Sequence, residues 1–247
     1  MKTGIQLYCV KDVLEKDFEA GMHLAAGAGY DGIETYQLYD GVKADDYRRE
    51  MDAAGVVCCG THNQLSRLKN DLCEVMEYNR ILGNDTIICH WLFPEERNNL
   101  DKVKAVARDL NEIGEILRKN GFRLLYHNHD FEFRGTYVGT NSQGKTIMDI
   151  LLRDTDPLLM GIEFHASHVA EIGVDPAEYA LALGERLKYL HVSLYDRKGN
   201  PAPEECERIM KAGIQAGVEW AVFEHVYPAD VTVETLRDDM RRFRLMA

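Results

Sequence analysis

Eight of the nine histidines end or closely follow short apolar runs, and this placement is the strongest chemical signal in the sequence. Glu132, Glu163 and Glu224 occupy similar positions. A single histidine of this kind is more often a hydrogen-bonded core or rim residue than a ligand. Eight of them together with carboxylates favour a metal or acid–base centre, because imidazole and carboxylate suit Mn, Fe, Co or Zn. The eight are His62, His90, His127, His129, His165, His168, His191 and His225.

Strand alternation groups some of these side chains by face. Successive residues on a strand point to opposite sides, so Glu163 and His165 point together, as do His127 and His129. The sequence does not decide which of the two faces is the inner one.

A repeated unit of an apolar run and a helical segment must position these residues. Glycines such as Gly55 and Gly217 close helical segments where a left-handed residue is favoured. The apolar runs are Gly4-Val10, Gly32-Tyr36, Val56-His62, Thr86-Trp91, Arg123-His129, Leu159-His165, Tyr189-Ser193 and Trp220-His225. The helical segments include Phe18-Ala28, Ala44-Ala54, Leu72-Leu82, Leu100-Lys119, Ile147-Arg153, Pro176-Leu183, Glu204-Ala216 and Val233-Phe243, with apolar residues three and four positions apart.

Eight such units in 247 residues predict one fold above the others. Runs that are apolar on both faces are typical of parallel strands covered by helices. We therefore expect a single (β/α)8 TIM barrel domain over residues 1–247, in which polar residues at the C-terminal strand ends meet at one mouth. An open doubly wound sheet is the alternative. However, no G-x-G-x-x-G motif follows the first predicted strand, and an open sheet would have two edge strands with unpaired backbone groups.

The segment Asp130-Lys145 is the only long stretch without a helix or strand pattern. Loops of this length in a compact domain are usually functional. The segment carries Glu132, Arg134 and Tyr137, and it reads as too polar and irregular to be core. We expect it to close over a bound substrate.

Composition limits the classes of binding partner and the cellular location that we expect for this protein. The net charge of -12 disfavours nucleic acid, because a polyanionic backbone would be repelled. No run approaches the roughly 18 apolar residues of a membrane span, and the first residues do not form a secretion signal. We expect a cytoplasmic protein with a small-molecule substrate and no membrane partner, and a homo-oligomer is left open.

Several short motifs resemble one family over essentially the whole chain. These motifs are GIQLYCVKD at the start, GYDGIETY after the first helix, YHNHDFEF on the fifth strand, GVDP before the sixth helix and LH on the seventh strand. Together they resemble the sugar phosphate isomerase/epimerase group of xylose-isomerase-like TIM barrels. YHNHDFEF is the most specific of them.

The resemblance implies a divalent metal ion held by one residue from each of strands five to eight, usually Glu, Asp, His and Glu. Carried over by position, the seventh-strand ligand is His191 and the eighth is Glu224. The fifth-strand ligand falls on His127, where related groups have Glu, and the sixth falls on His165, where the family has Asp. Imidazole in place of carboxylate shifts the metal preference from Mn towards Zn or Fe, and Co is a further candidate.

The resemblance also implies residues that contact a sugar. Ketose epimerases of this superfamily have a histidine three positions after the sixth-strand Asp and an arginine six after the seventh-strand His, which correspond to His168 and Arg197. We add His62 at a strand end and Trp91, whose ring would stack on a sugar or close the core.

These residues predict a metal-dependent isomerase or epimerase that acts on a ketose or keto-sugar through an enediolate. Glu224 would be both ligand and base, and Glu132 or His129 would serve the other face. A lyase or dehydratase acting on a keto-sugar or inosose is the close alternative. A non-catalytic sugar-binding or partner barrel with a degenerate metal site is another, whereas a DNA-repair endonuclease is disfavoured by the net charge.

Overall fold

The computed structural model describes residues 1–36, 41–135, 137–139 and 142–246, with the backbone alone for 137–139 and 142–144. Eight parallel strands close into a barrel in the order β1-β10-β9-β8-β5-β4-β3-β2. They are β1 Lys2–Gln6, β2 Gly32–Thr35, β3 Val57–Gln64, β4 Thr86–Trp91, β5 Arg123–His127, β8 Met160–His165, β9 Leu187–Val192 and β10 Trp220–Phe223, and a separate antiparallel hairpin pairs β6 Tyr137–Gly139 with β7 Ser142–Lys145. The predicted TIM barrel is confirmed.

Helices connect the barrel strands and cover the barrel from outside. Among them, none has the length and apolar character needed to cross a membrane. They are α1 Lys11–Leu14, α2 Phe18–Gly27, α3 Ala44–Ala54, α4 Leu65–Asn70, α5 Leu72–Leu82, α6 Pro94–Arg97, α7 Leu100–Lys119, α8 Ile147–Asp154, α9 Ala166–Ala170, α10 Pro176–Leu183, α11 Pro203–Ala216 and α12 Val233–Arg244.

Strand ends differ from the predicted runs where side chains redirect the backbone. The run predicted from Gly4 to Val10 leaves the sheet after Gln6, whose side chain accepts a hydrogen bond from the backbone N–H of Tyr8 and starts a 3-10 helix over Leu7–Val10. The fifth strand ends at His127, two residues before the predicted end. The apolar runs therefore predicted the positions of the strands, whereas local hydrogen bonds determine where the strands end.

The segment 130–145 is partly structured, contrary to the expectation of one irregular loop. A turn at 131–133 precedes the hairpin of β6 and β7. Glu132 is fully buried, and Phe131 and Phe133 pack against the core. Thr136, and the side chain of Tyr137, lie outside the described residues.

The barrel interior has an apolar layer and, towards the C-terminal strand ends, a polar layer. Alternation places Leu125 two residues before His127 on one face of β5, and Tyr189 two residues before His191 on β9. The apolar layer is closed by contacts such as the hydrogen bond from the Tyr189 hydroxyl to the carbonyl of Cys59, at 2.8 Å. It supports the polar residues from beneath and consists of Cys59, Ile88, Leu125, Tyr189, Trp220 and Val222.

Candidate active site

The C-terminal strand ends surround a cavity with a volume of about 880 Å³. Its walls include His127 from β5, His165 from β8, and Glu224, which directly follows β10. Trp91 at the end of β4 and Arg197 in the loop after β9 also line it. The mouth of the barrel is therefore a polar cavity large enough for a sugar.

The structure brings together the four residues that the resemblance implied as metal ligands. The Nδ1 atom of His165 lies 3.3 Å from the Nε2 atom of His127 and 3.8 Å from Oε2 of Glu224. The Nδ1 atom of His191 lies 2.9 Å from the same Glu224 oxygen. In a tetrahedral site with metal–ligand bonds of about 2.1 Å, neighbouring donor atoms are about 3.4 Å apart. His165, His191 and Glu224 offer donor atoms close enough together for a single divalent ion, and His127 adjoins them through His165.

Two buried carboxylates lie beneath these four residues. Oε2 of Glu163 is 2.9 Å from Nδ1 of His127, and Oε1 of Glu34 is 2.7 Å from Nε2 of His191. The Nε2 atom of His62 lies 2.9 Å from both of these carboxylate oxygens. All three side chains are almost fully buried. His62 therefore lines the cavity but directs its Nε2 atom at carboxylates beneath the mouth.

The buried carboxylates and imidazoles shift one another's ionisation. Burial would raise the pKa of Glu34, but His62 and His191 hold it below its ordinary value. Burial and the charge of Glu34 raise the pKa of Glu163. Burial would lower the pKa of His62, whereas Glu34 and Glu163 raise it to about 9. This layer thus pairs carboxylates with a cationic His62.

The histidines nearer the mouth differ in the direction of their pKa shifts. Burial would lower the pKa of His191, but Glu163, Glu34 and Glu224 raise it well above its ordinary value. Burial and neighbouring imidazoles lower the pKa values of His127 and His165 well below the ordinary range. Burial lowers the pKa of His129 to about 2 and that of His168 to about 4. Because metals bind neutral imidazole, this environment favours coordination. The Nδ1 atoms of His129 and His168 are buried and have no hydrogen-bond partner among the described residues.

The residues expected to contact substrate surround the upper part of the cavity. The rings of Trp91 and His129 meet edge to face with centroids 4.7 Å apart. His168 lies beside His165, at 4.1 Å between ring centroids. Arg197 is exposed and donates to Glu171 at 3.0 Å. His62 was also expected to contact substrate, but its Nε2 atom contacts the carboxylates of Glu34 and Glu163 below the mouth.

Glu132 lies outside the mouth, contrary to its expected part in proton transfer. Its carboxylate accepts hydrogen bonds from the Tyr126 hydroxyl at 2.7 Å and from the backbone N–H of His129 at 2.8 Å. Tyr126 alternates with His127 on β5 and so faces the helices. Burial raises the pKa of Glu132 to about 7. The side chain packs behind the strand, and it is not among the residues lining the mouth.

Sequence reasoning missed Glu34 and Gln6. Glu34 lies in the middle of the four-residue strand β2 and is fully buried. Its Oε1 atom also accepts a hydrogen bond from Nε2 of Gln6, at 2.7 Å. A carboxylate inside an otherwise apolar strand is an available signal, because such a group needs buried partners.

Comparisons with known proteins agree with this architecture. A family model described as xylose isomerase-like TIM barrel matches residues 22–230. An inosose dehydratase from Clostridium perfringens is 28% identical over 138 residues, covering 56% of this chain and 42% of that protein. The chain thus matches less than half the length of that relative.

Two solved structures have the same fold. A sugar phosphate isomerase/epimerase from Parabacteroides distasonis superposes with a TM-score of 0.82 at 21% identity, covering 100% of this chain and 96% of that one. A D-allulose 3-epimerase from Methylomonas sp. superposes with a TM-score of 0.68 at 13% identity, covering 98% and 90%.

Proposed function

Because the chain belongs to the xylose isomerase-like TIM barrel family, we propose that it is a metal-dependent isomerase or epimerase acting on a ketose or keto-sugar. The observation that carries this proposal is the convergence of His165, His191 and Glu224 beneath a polar cavity, with His127 next to His165. The reaction would remove a proton from the carbon beside the carbonyl, pass through an enediolate, and return the proton to a different face or carbon.

The donor set fits a divalent ion. His127, His165 and His191 would each offer one nitrogen and Glu224 one oxygen, which favours Zn or Fe over the Mn that a more carboxylate-rich set would prefer. The far nitrogens of His127 and His191 contact buried carboxylates, an arrangement common around metal-bound histidines. When bound, the ion would polarise the carbonyl and a neighbouring hydroxyl and make the proton between them more acidic.

Glu224 is the base that the geometry favours. Its side chain is 20% exposed at the mouth, and His191 fixes one of its oxygens at 2.9 Å. A carboxylate that is oriented but still accessible can accept a proton from a bound substrate. His129, on the β5 side of the cavity, offers a neutral imidazole with a free Nδ1 atom to orient a hydroxyl or carry a proton on the other face.

The upper cavity would bind the rest of the sugar. Trp91 offers an aromatic face, on which the C–H groups of a sugar ring pack. His168 and Arg197 offer polar contacts to hydroxyl or anionic groups. Substrate in this position would exclude water from the enediolate and prevent its random protonation.

A dehydratase reaction is the second candidate, and the similarity to an inosose dehydratase favours it. The same proton removal by Glu224 would form the enediolate. The electron pair would then expel a hydroxyl from the next carbon, and the proton taken by Glu224 could leave with that hydroxyl as water. Both reactions require the same first step.

Proton exchange with solvent tests that shared step. Purified protein loaded with Mn, Co, Fe or Zn would be incubated in D₂O with ketoses, keto-glycosides and an inosose, and the carbon next to the carbonyl followed by NMR. We expect deuterium to enter at that carbon, with an epimer, an isomer or a dehydrated product identifying the reaction. Glu224→Gln with its metal restored is the control and should not exchange. A metal-loaded protein that exchanges no substrate would favour the non-catalytic binding role.

A further inference from the structure

We propose that Glu34 and Glu163 are positioning residues that fix His127 and His191 in opposite tautomers, so that each imidazole turns one lone pair towards the mouth. The inference rests on the metal site of the proposed function. It gives a role to two carboxylates that are neither metal ligands nor substrate contacts in that site. The two carboxylates are fully buried and come from β2 and β8, on different sides of the barrel.

The contacts of His127 require one tautomer. Its Nδ1 atom faces Oε2 of Glu163 at 2.9 Å, and its Nε2 atom faces Nδ1 of His165 at 3.3 Å. An ionised carboxylate only accepts hydrogen bonds, so the proton of the neutral ring lies on Nδ1. The lone pair on Nε2 is then directed to the position between His127 and His165.

The contacts of His191 would leave the opposite tautomer once a metal ion is bound. Its Nε2 atom faces Oε1 of Glu34 at 2.7 Å, and its Nδ1 atom faces Oε2 of Glu224 at 2.9 Å. The Glu224 oxygen also lies 3.8 Å from Nδ1 of His165, so Nδ1 of His191 is the nitrogen on the side of the mouth. A metal ion that takes Nδ1 would leave the proton on Nε2, where Glu34 accepts it.

His62 keeps the two carboxylates in place. Its Nε2 atom lies 2.9 Å from Oε1 of Glu34 and 2.9 Å from Oε2 of Glu163, and so it bridges two groups that would otherwise repel each other. The backbone of β3 leaves room for this arrangement at Gly60, where an added Cβ would lie only 2.9 Å from Oε2 of Glu34. Gln6 adds a third donor to Glu34.

Carboxylates lie directly beneath two of the proposed ligands. Glu163 contacts His127 and Glu34 contacts His191. The carboxylate that is missing at His165, relative to the Asp that the family resemblance implies there, thus has counterparts one layer below.

The same residues offer one competing arrangement. The ligand atoms of His62, His127, Glu163 and His191 lie within 4.8 Å of one another, so an ion could sit beneath the mouth instead. Four buried protein ligands would close that site, whereas a catalytic ion needs an open position for substrate. The mouth position is therefore favoured, and a deeper position is a result that the experiment can return.

Isosteric variants separate these possibilities. Glu34→Gln and Glu163→Gln remove the charge but keep the size and an acceptor oxygen, and Glu132→Gln is the matched control, because Glu132 is equally buried but touches no ligand side chain. Co²⁺ affinity would be measured by competition with a chelator, together with the visible absorption of the bound ion. We expect both test variants to bind Co²⁺ about 10- to 100-fold more weakly with unchanged absorption bands. The control should match the wild type.

Three results would overturn the inference. Unchanged Co²⁺ affinity in both test variants would show that the carboxylates do not act through the ligands. An altered absorption spectrum in Glu163→Gln, with an unaltered one in Glu224→Gln, would place the ion in the deeper position. Wild-type protein that binds no Co²⁺ would remove the metal site itself, and with it the proposed function.

The coordinating ring nitrogens can also be identified in the wild-type protein, so this test does not depend on the folding of a variant. Two-bond ¹H–¹⁵N correlations of the Zn²⁺-loaded protein identify which ring nitrogen of each histidine binds the metal. We expect Nε2 coordination for His127 and Nδ1 coordination for His191. The reverse assignment for either ring would contradict the inference.

Discussion

Replacing Glu132 by Gln should make the protein more stable at neutral and alkaline pH. The Glu132 carboxyl group is fully buried behind β5, where it contacts the Tyr126 hydroxyl and the backbone N–H of His129. Burial opposes its ionisation and raises its pKa from 4.5 to about 7. The amide of Gln has the same size and can accept from the His129 N–H while donating to the Tyr126 oxygen, but it has no charge to bury.

The size of the effect follows from the pKa difference between the folded and unfolded protein. The folded protein holds the Glu132 proton more tightly, so this contribution to stability is complete below about pH 4.5 and is lost as the pH rises to about 7. Each pKa unit corresponds to about 1.4 kcal/mol, and the loss is therefore about 3 kcal/mol. Above pH 7 it stays constant.

Urea denaturation of both proteins between pH 4.5 and pH 8 would measure this loss. The quantity to compare is the free energy of unfolding of Glu132→Gln minus that of the wild type at each pH, because other titrating groups and any constant cost of the amide cancel. We expect the difference to grow by about 3 kcal/mol in favour of the variant as the pH rises. A difference that does not change with pH would refute the reasoning and show that the hydrogen bonds from Tyr126 and His129 stabilise the ionised form as well as water does.

Three further changes test the metal site. His191→Ala and Glu224→Ala should each lower metal affinity roughly 100-fold or more. The circular dichroism spectrum should stay unchanged, since both residues lie above the apolar layer. Full metal content by elemental analysis in both variants would contradict the site. His165→Asp should still bind metal, but the metal preference of the protein should shift from Zn or Fe towards Mn in competition binding, because an anionic oxygen replaces a nitrogen. A preference identical to that of the wild type would mean that His165 is not a ligand. Gly60→Ala should cost about 1–3 kcal/mol of stability in urea unfolding and weaken metal binding, since its Cβ would lie 2.7 Å from Cδ1 of Ile88 and 2.9 Å from Oε2 of Glu34. Unchanged metal affinity in this variant would show that the position of Glu34 does not matter to the site.

The sequence was sufficient for the barrel and for the convergence of the strand-end histidines at its mouth. The eight apolar runs are short and continuous, as buried parallel strands are, and the intervening segments have helical spacing, so the order of elements followed directly. Helices such as Leu72–Leu82 and Leu100–Lys119 have the predicted bounds. In a parallel barrel all C-terminal strand ends meet, and for this reason the strand-end histidines His127, His165 and His191 could be expected to converge.

Side chains inside strands or behind them could not be placed in the same way. Glu132 follows a strand end in the sequence, but a turn at 131–133 carries it to the outer side of β5. Glu34 lies inside a strand, away from the residues that the motifs single out, and its partners His62 and His191 come from β3 and β9. Contacts between such distant segments depend on the register and tilt of the closed barrel, which local sequence patterns do not contain.

The buried carboxylates would allow the proposed ligand set, which is rich in histidine, to hold a divalent ion. The mouth contributes only one negative charge, at Glu224, because His127 and His165 stand where the family resemblance implies carboxylates. A carboxylate that accepts the far N–H of a ligating imidazole makes that imidazole a stronger donor and contributes its charge through the ring. Glu163 is placed to do this for His127 at 2.9 Å, and Glu34 for His191 at 2.7 Å. In the proposed site, the carboxylates of Glu34 and Glu163 therefore lie one layer deeper, where substrate cannot reach them, while His127 and His165 at the mouth have lowered pKa values.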